Sequence, residues 1–66
     1  MSIAKVTEIT STSKKSFGDA IADGIKRANQ SLKTVTGAGI ADQKVTVEDG
    51  KISGYQVRMK ITFVLE

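Results

Sequence analysis

Near the end of the chain, Tyr55, Val57, Met59, Ile61, Phe63 and Leu65 recur at every second position, with Gln56, Arg58, Lys60 and Thr62 between them. Successive side chains of a strand point to opposite faces, so this alternation predicts a strand over 52–65 with one buried face. Upstream, Phe17, Ile21, Ile25, Ala28 and Leu32 fall at helical spacing. They predict an amphipathic helix from Ser13 or Lys14 to about Leu32. Ser11, Thr12 and Ser13 are residues of the N-capping type just ahead of it. Gly18 and Gly24 each lower helicity by about 1 kcal/mol relative to alanine, and Gly24 is placed for a close approach to the sheet. Asp23 and Arg27 form a favourable i,i+4 pair on the wet side. Lys14 and Lys15 stand where the helix dipole prefers acids, and they read as surface choices rather than an anion site.

The stretch 3–10 reads as a first strand with imperfect alternation. Either a bulge shifts its register, or Glu8 shares a face with Ala4 and Val6. A second strand is expected over 34–48. Glu48-Asp49-Gly50-Lys51 then forms a hairpin turn, with Asp-Gly at its centre as a type I′ turn requires. A strand, a crossover helix and a strand run the first two strands parallel, and the hairpin runs the third against both. If the sheet is wholly antiparallel, the third strand lies in the middle. The expected fold class is therefore α+β. One domain over 1–66 forms a β-α-β-β subunit, its three-stranded antiparallel sheet (order 1-3-2) packed on one helix.

The hairpin also predicts a register. With Glu48 opposite Lys51, Gln43 faces Gln56, Ala41 faces Arg58, Gly39 faces Lys60, Gly37 faces Thr62 and Val35 faces Val64. All fall on the sheet face away from the helix, as do Val45, Val47 and Ile52 at the hairpin tip. A bulge within 37–42 would shift the register, and two glycines invite one. An apolar patch on so small a domain points to burial against another subunit.

Composition strengthens that last point. A chain of 66 residues is near the lower limit of what folds on its own core. It contains no cysteine and no histidine, which excludes disulfides, thiolate and imidazole metal sites, and histidine-based catalysis. Oligomerisation is the remaining supplement to a small core. The net charge of +3 is spread over several elements, and one tyrosine is little for base stacking, so nucleic acid is not an expected partner. No apolar run approaches membrane-spanning length and the N-terminus lacks a signal-type apolar stretch, so no membrane partner and a cytoplasmic location are expected.

Candidate chemistry is sparse. No nucleophile has a base to activate it, so the chain is not expected to be an enzyme. Gly37-Ala38-Gly39 lies inside a strand and opens no helix, which excludes a phosphate-binding loop. Glu8, Asp42, Glu48 and Asp49 match no calcium-loop spacing and read as solvated carboxylates. Gln43 and Gln56, facing each other on the sheet, either pair as amides or hydrogen-bond the edge of a planar heterocycle.

Several short segments, in order and spacing, resemble the dodecin family over the whole chain: Lys5-Val6, Thr10-Ser11-Thr12-Ser13 with Ser16-Phe17, Ile25-Lys26-Arg27-Ala28, Asp42-Gln43, and Tyr55-Gln56-Val57 leading into Phe63. The resemblance implies a hollow homo-dodecamer of cubic symmetry. It also implies storage or protection of a flavin (FMN, riboflavin or FAD), with two isoalloxazine rings stacked between symmetry-related subunits. By the same resemblance Gln56 matches the glutamine that binds the flavin ring, and Asp42-Gln43 matches the family's Asp-Gln pair. The stacking tryptophan falls at Gly37, and this chain has no tryptophan. A stacked ring contributes about 1–3 kcal/mol in comparable nucleobase systems, and Tyr55 points to the helix side. Flavin affinity is accordingly expected to be weak or absent. The alternative is a flavin-independent member that binds divalent cations or another small ligand at subunit junctions, through Glu8, Asp42 or other carboxylates.

Overall fold

The computed structural model describes residues 3–65. The elements follow as β1 (Ile3–Ser13), α1 (Phe17–Leu32), β2 (Val35–Glu48) and β3 (Lys51–Leu65). The sheet order is β1-β3-β2 and both pairings are antiparallel, as the alternation and the hairpin predict. The long period-two strand is thus the central one. Its Val57, Met59 and Ile61 are wholly buried, each such side chain contributing about 1.5–3 kcal/mol of apolar burial.

The strand-to-helix corner differs from expectation. Ser11, Thr12 and Ser13 pair with Val57, Gln56 and Tyr55 as the last residues of β1, so none of them caps the helix. The N-cap is Ser16, in extended conformation, whose Oγ accepts the Asp19 N–H at 2.9 Å. Ser13 is buried and braces the corner: its Oγ donates to Asp19 Oδ2 at 2.6 Å and accepts the Lys15 N–H at 2.9 Å. The strand takes Ser11, Thr12 and Ser13 because the ladder satisfies their backbone groups, whereas Ser16 satisfies an orphan helix N–H. At the other end Lys33 caps α1 in the left-handed region (φ 68), its N–H donating to the Asn29 carbonyl at 2.9 Å.

α1 meets the sheet along a line of small residues. Ala20, Gly24 and Ala28 are the buried ones. Phe17, Ile21, Ile25 and Leu32 flank them and are half-buried against the core. The apolar stripe read from the sequence is therefore real, but its closest seam runs through the small side chains. A Cβ on Gly24 would overlap Met59 Cε and come within 3.1 Å of Ser11 Cβ, which is the close approach expected of that glycine. Phe17 closes one end of the core by packing edge-on against Tyr55, with ring centroids 5.1 Å apart at 79°.

The β2–β3 register departs from a simple ladder at three places. Glu48 pairs with Lys51 and Val47 with Ile52, as the turn predicts; Asp49 (φ 52) and Gly50 (φ 74) both have the positive φ of a type I′ turn. Ser53 is then an extra residue in β3, so that Thr46 pairs with Gly54, Val45 with Tyr55, Lys44 with Gln56, Gln43 with Val57 and Asp42 with Arg58. Ala41 is an extra residue in β2 and restores the expected pairs Gly39–Lys60 and Gly37–Thr62. A third shift at Thr36 puts Val35 opposite Phe63 rather than Val64. Four expectations are corrected by these bulges, that for Val35 being the first. Gln43 does not face Gln56, Ala41 does not face Arg58, and Val45 and Val47 share the helix-side face of Tyr55 rather than the opposite one. Ile52, paired with Val47, goes with them. In β1 no bulge occurs; Glu8 pairs with Lys60 and shares a face with Ala4 and Val6.

Candidate functional site: the sheet face away from the helix

On the face away from α1 the three strands lay out four successive rows. Thr12, Gln56 and Lys44 form one; Thr10, Arg58 and Asp42 the next; Glu8, Lys60 and Gly39 the third; Val6, Thr62 and Gly37 the fourth. Paired residues of antiparallel strands point to the same side, so each row is a set of neighbours. Among the first two rows lies an open depression of about 150 Å³, lined by Thr10, Asp42, Lys44, Gln56 and Arg58. Arg58 Nη2 donates to Asp42 Oδ2 at 2.7 Å, which ties the guanidinium to the β2 side of the depression. Gln56 is half-buried between Thr12 and Lys44 with its amide available to a ligand.

Past Arg58 the β2 side of this face is bare. A Cβ on Gly37 or on Gly39 would meet no other atom within 4 Å. A side chain at Gly37 would therefore start into open space, but glycine supplies no surface for a ring to stack on.

Of the residues singled out from the sequence, Gln56, Asp42 and Gly37 share this face. Gln43 does not: paired with Val57, it projects from the helix side, so neither the amide pair nor a joint clamp with Gln56 exists within one subunit. Lys44 takes its place beside Gln56, and Thr10 and Arg58 complete the lining. Sequence reasoning missed Lys44 because the ladder continued straight from the turn places it on the opposite face. The bulge at Ala41 lies inside the glycine-containing stretch where a shift was anticipated, but the one at Ser53 has no comparable signal beyond Gly54.

The functional groups on this face are amide, hydroxyl, guanidinium, ammonium and carboxylate. They suit binding by hydrogen bonds and charge. Among the described residues no group of three or more carboxylates could hold a metal ion within one subunit, and no helix is long and apolar enough to cross a membrane.

A single helix laid on a β1-β3-β2 sheet, with a polar recess on the opposite face, defines a small β-α-β-β subunit of the dodecin type. The dodecin family model matches residues 3–66, and the chain belongs to that family. It is 33% identical over 64 residues to the calcium dodecin of Mycobacterium tuberculosis (strain ATCC 25618 / H37Rv), covering 96% of this chain and 89% of that protein. Among solved structures, dodecin from Streptomyces davaonensis superposes with a TM-score of 0.94 at 34% identity, covering 98% of this chain and 96% of the other. The crystal structure of the calcium-chelating dodecin of M. tuberculosis, with a calcium-binding site described as novel, gives a TM-score of 0.84 at 29% identity, covering 97% and 91% of the two chains.

Proposed function

We propose that this chain forms a hollow cytoplasmic homo-dodecamer that binds and buffers a small ligand without catalysing a reaction, and that the ligand class is flavin held with low affinity. The observation that carries this reading is the recess around Gln56, open beside the bare strip of Gly37 and Gly39. Gln56 offers a donor and an acceptor to the edge of a planar ring. The missing platform removes most of the stacking contribution, about 1–3 kcal/mol per ring face. Membership of the family supports both the assembly and the ligand class. The test is direct. Light scattering should give a mass twelve times the 7.0 kDa of the chain, and riboflavin or FMN fluorescence should be quenched only well above micromolar protein. A mass near that of a monomer sinks the assembly, and an absence of quenching at any accessible concentration sinks the flavin.

The relationship to calcium dodecin favours a second reading, in which the assembly binds a divalent cation. Glu8 and Asp42 are on the same sheet face, in adjacent rows. Among the described residues one subunit gathers no group of three carboxylates, so a site of this kind built from them needs carboxylates from a second copy. Calorimetric titration with calcium, before and after Glu8→Gln, separates the two readings: heat that disappears with Glu8 supports the cation.

A further inference from the structure

The sheet face away from α1 carries no aromatic side chain. Phe17, Tyr55 and Phe63 are the chain's only aromatic residues. Phe17 begins α1 and packs on Tyr55. Phe63 is in phase with Tyr55 along β3, whose pairing with β1 has no shift, so it points to the helix side as well. A ring held at Gln56 thus finds no aromatic surface on this face, in this copy or in any other. The neighbouring group with a delocalised plane is the guanidinium of Arg58. It lies on the same face, two residues from Gln56 and about 7 Å further along the strand.

Arg58 is well placed for a ring to rest on. Its Nη2 donates to Asp42 Oδ2 on the adjoining strand, which restricts a side chain that a ligand would otherwise have to immobilise. That bond uses one of the five guanidinium N–H groups, and no other is engaged among the described residues. The side chain is 47% exposed, so a ligand can reach it.

Charge adds a preference. The first three rows of the face hold Lys44, Arg58 and Lys60 against Asp42 and Glu8. Asp42 is bonded to Arg58, and Glu8 stands opposite Lys60. Lys44, beside Gln56, is the surplus cation and has no ion pair among the described residues.

We infer that the recess favours the anionic, electron-rich form of a planar ring, with Arg58 as the surface the ring rests on and Lys44 as the second charge. Given the flavin ligand proposed above, on which this step rests, the favoured form is the reduced one. The oxidised isoalloxazine ring is neutral and electron-poor. Uptake of two electrons and one proton leaves it electron-rich with a single negative charge. A guanidinium against the ring face and an ammonium near its edge both stabilise that form more than the neutral one. An indole, itself electron-rich, would favour the oxidised ring instead. The lack of a tryptophan therefore changes which form is preferred as well as how tightly it is held.

The test is anaerobic equilibrium dialysis of FMN, oxidised and dithionite-reduced, against the assembled protein. The phosphate is common to both forms and cancels in the ratio of affinities. Reduced FMN should bind about tenfold more tightly, within what a partly desolvated cation against a ring supplies, and the ratio should shrink at high salt. Arg58→Gln and Lys44→Gln should each lower the ratio. Arg58→Lys keeps the charge but loses the plane, so it should weaken both forms. Arg58 and Lys44 are exposed, and circular dichroism checks that the variants keep the fold. Oxidised FMN bound as tightly as reduced, or more so, overturns the preference and leaves the flavin reading standing. An unchanged ratio in Arg58→Gln overturns the role of Arg58. Undiminished binding of both forms by Arg58→Lys overturns the guanidinium as the resting surface. FMN bound in neither form overturns the preference and the flavin reading together.

Discussion

Arg58 and Asp42 face each other across the β2–β3 ladder with 2.7 Å between Nη2 and Oδ2, and they do so because the bulge at Ser53 moves the ladder by one residue. The pair is half-exposed, so its contribution to stability is small, in the range of about 0–1 kcal/mol. Asp42→Ala should therefore lower the urea stability of the assembled protein by no more than about 1 kcal/mol, with most of the difference lost at high salt. A larger, salt-independent loss would show that the pair becomes buried on assembly.

Gly37→Trp should raise flavin affinity at least tenfold. A Cβ built on Gly37 meets nothing within 4 Å, so the subunit's backbone does not oppose a side chain there, and a tenfold gain corresponds to about 1.4 kcal/mol, well within what one stacked ring supplies. Fluorescence-quenching titration of riboflavin against the two proteins reads this out. Equal affinities would mean that Gly37 is not the platform position.

Gly24→Ala should destabilise the protein although it improves helix propensity. The propensity gain is about 1 kcal/mol. Against it stands overpacking of a wholly buried Met59 and of Ser11 Cβ at 3.1 Å, which costs about 1–3 kcal/mol. The methionine tip can yield but the strand cannot, so the expected net loss is about 1 kcal/mol, read from the denaturation midpoint. A stabilised variant would show that the helix shifts freely on the sheet.

Lys33→Gly should act in the other direction. Lys33 holds φ 68 at the end of α1, a region that costs a side-chain-bearing residue about 1–2 kcal/mol. Glycine removes that strain and pays part of it back as unfolded-state entropy, leaving an expected gain of about 0.5–1 kcal/mol in thermal or urea unfolding.

The order of elements, the central position of β3 and the sharp turn at Asp49-Gly50 were legible because each rests on a strong local rule: strict alternation, an apolar helical stripe, and a dipeptide suited to positive φ. Gly24 was legible for the same reason, as a small residue on the inner side of a helix. The recess was legible in part. Gln56, Asp42 and Gly37 share one face as expected, since the shift at Ser53 is undone at Ala41 before the strand reaches Gly39. Between those two residues the phase is inverted, which exchanged Gln43 for Lys44 beside Gln56. Nothing local to Ser53 announces a bulge; it forms where Thr46 Oγ1 meets Ser53 Oγ at 2.8 Å, a contact that exists only once the strands are paired. Ser16 was passed over as the N-cap because three earlier residues of the same type precede it, and only the length of the β1 ladder decides among them.

The bare strip at Gly37 has one further consequence, which belongs to inheritance rather than to structure. A GGG glycine codon and the TGG codon of tryptophan differ by a single base. Because a Cβ at Gly37 meets nothing within 4 Å, that one substitution would put a ring on this strip without a backbone clash at its root. If Gly37 is the platform position, populations carrying that codon stand one mutational step from a changed ligand preference.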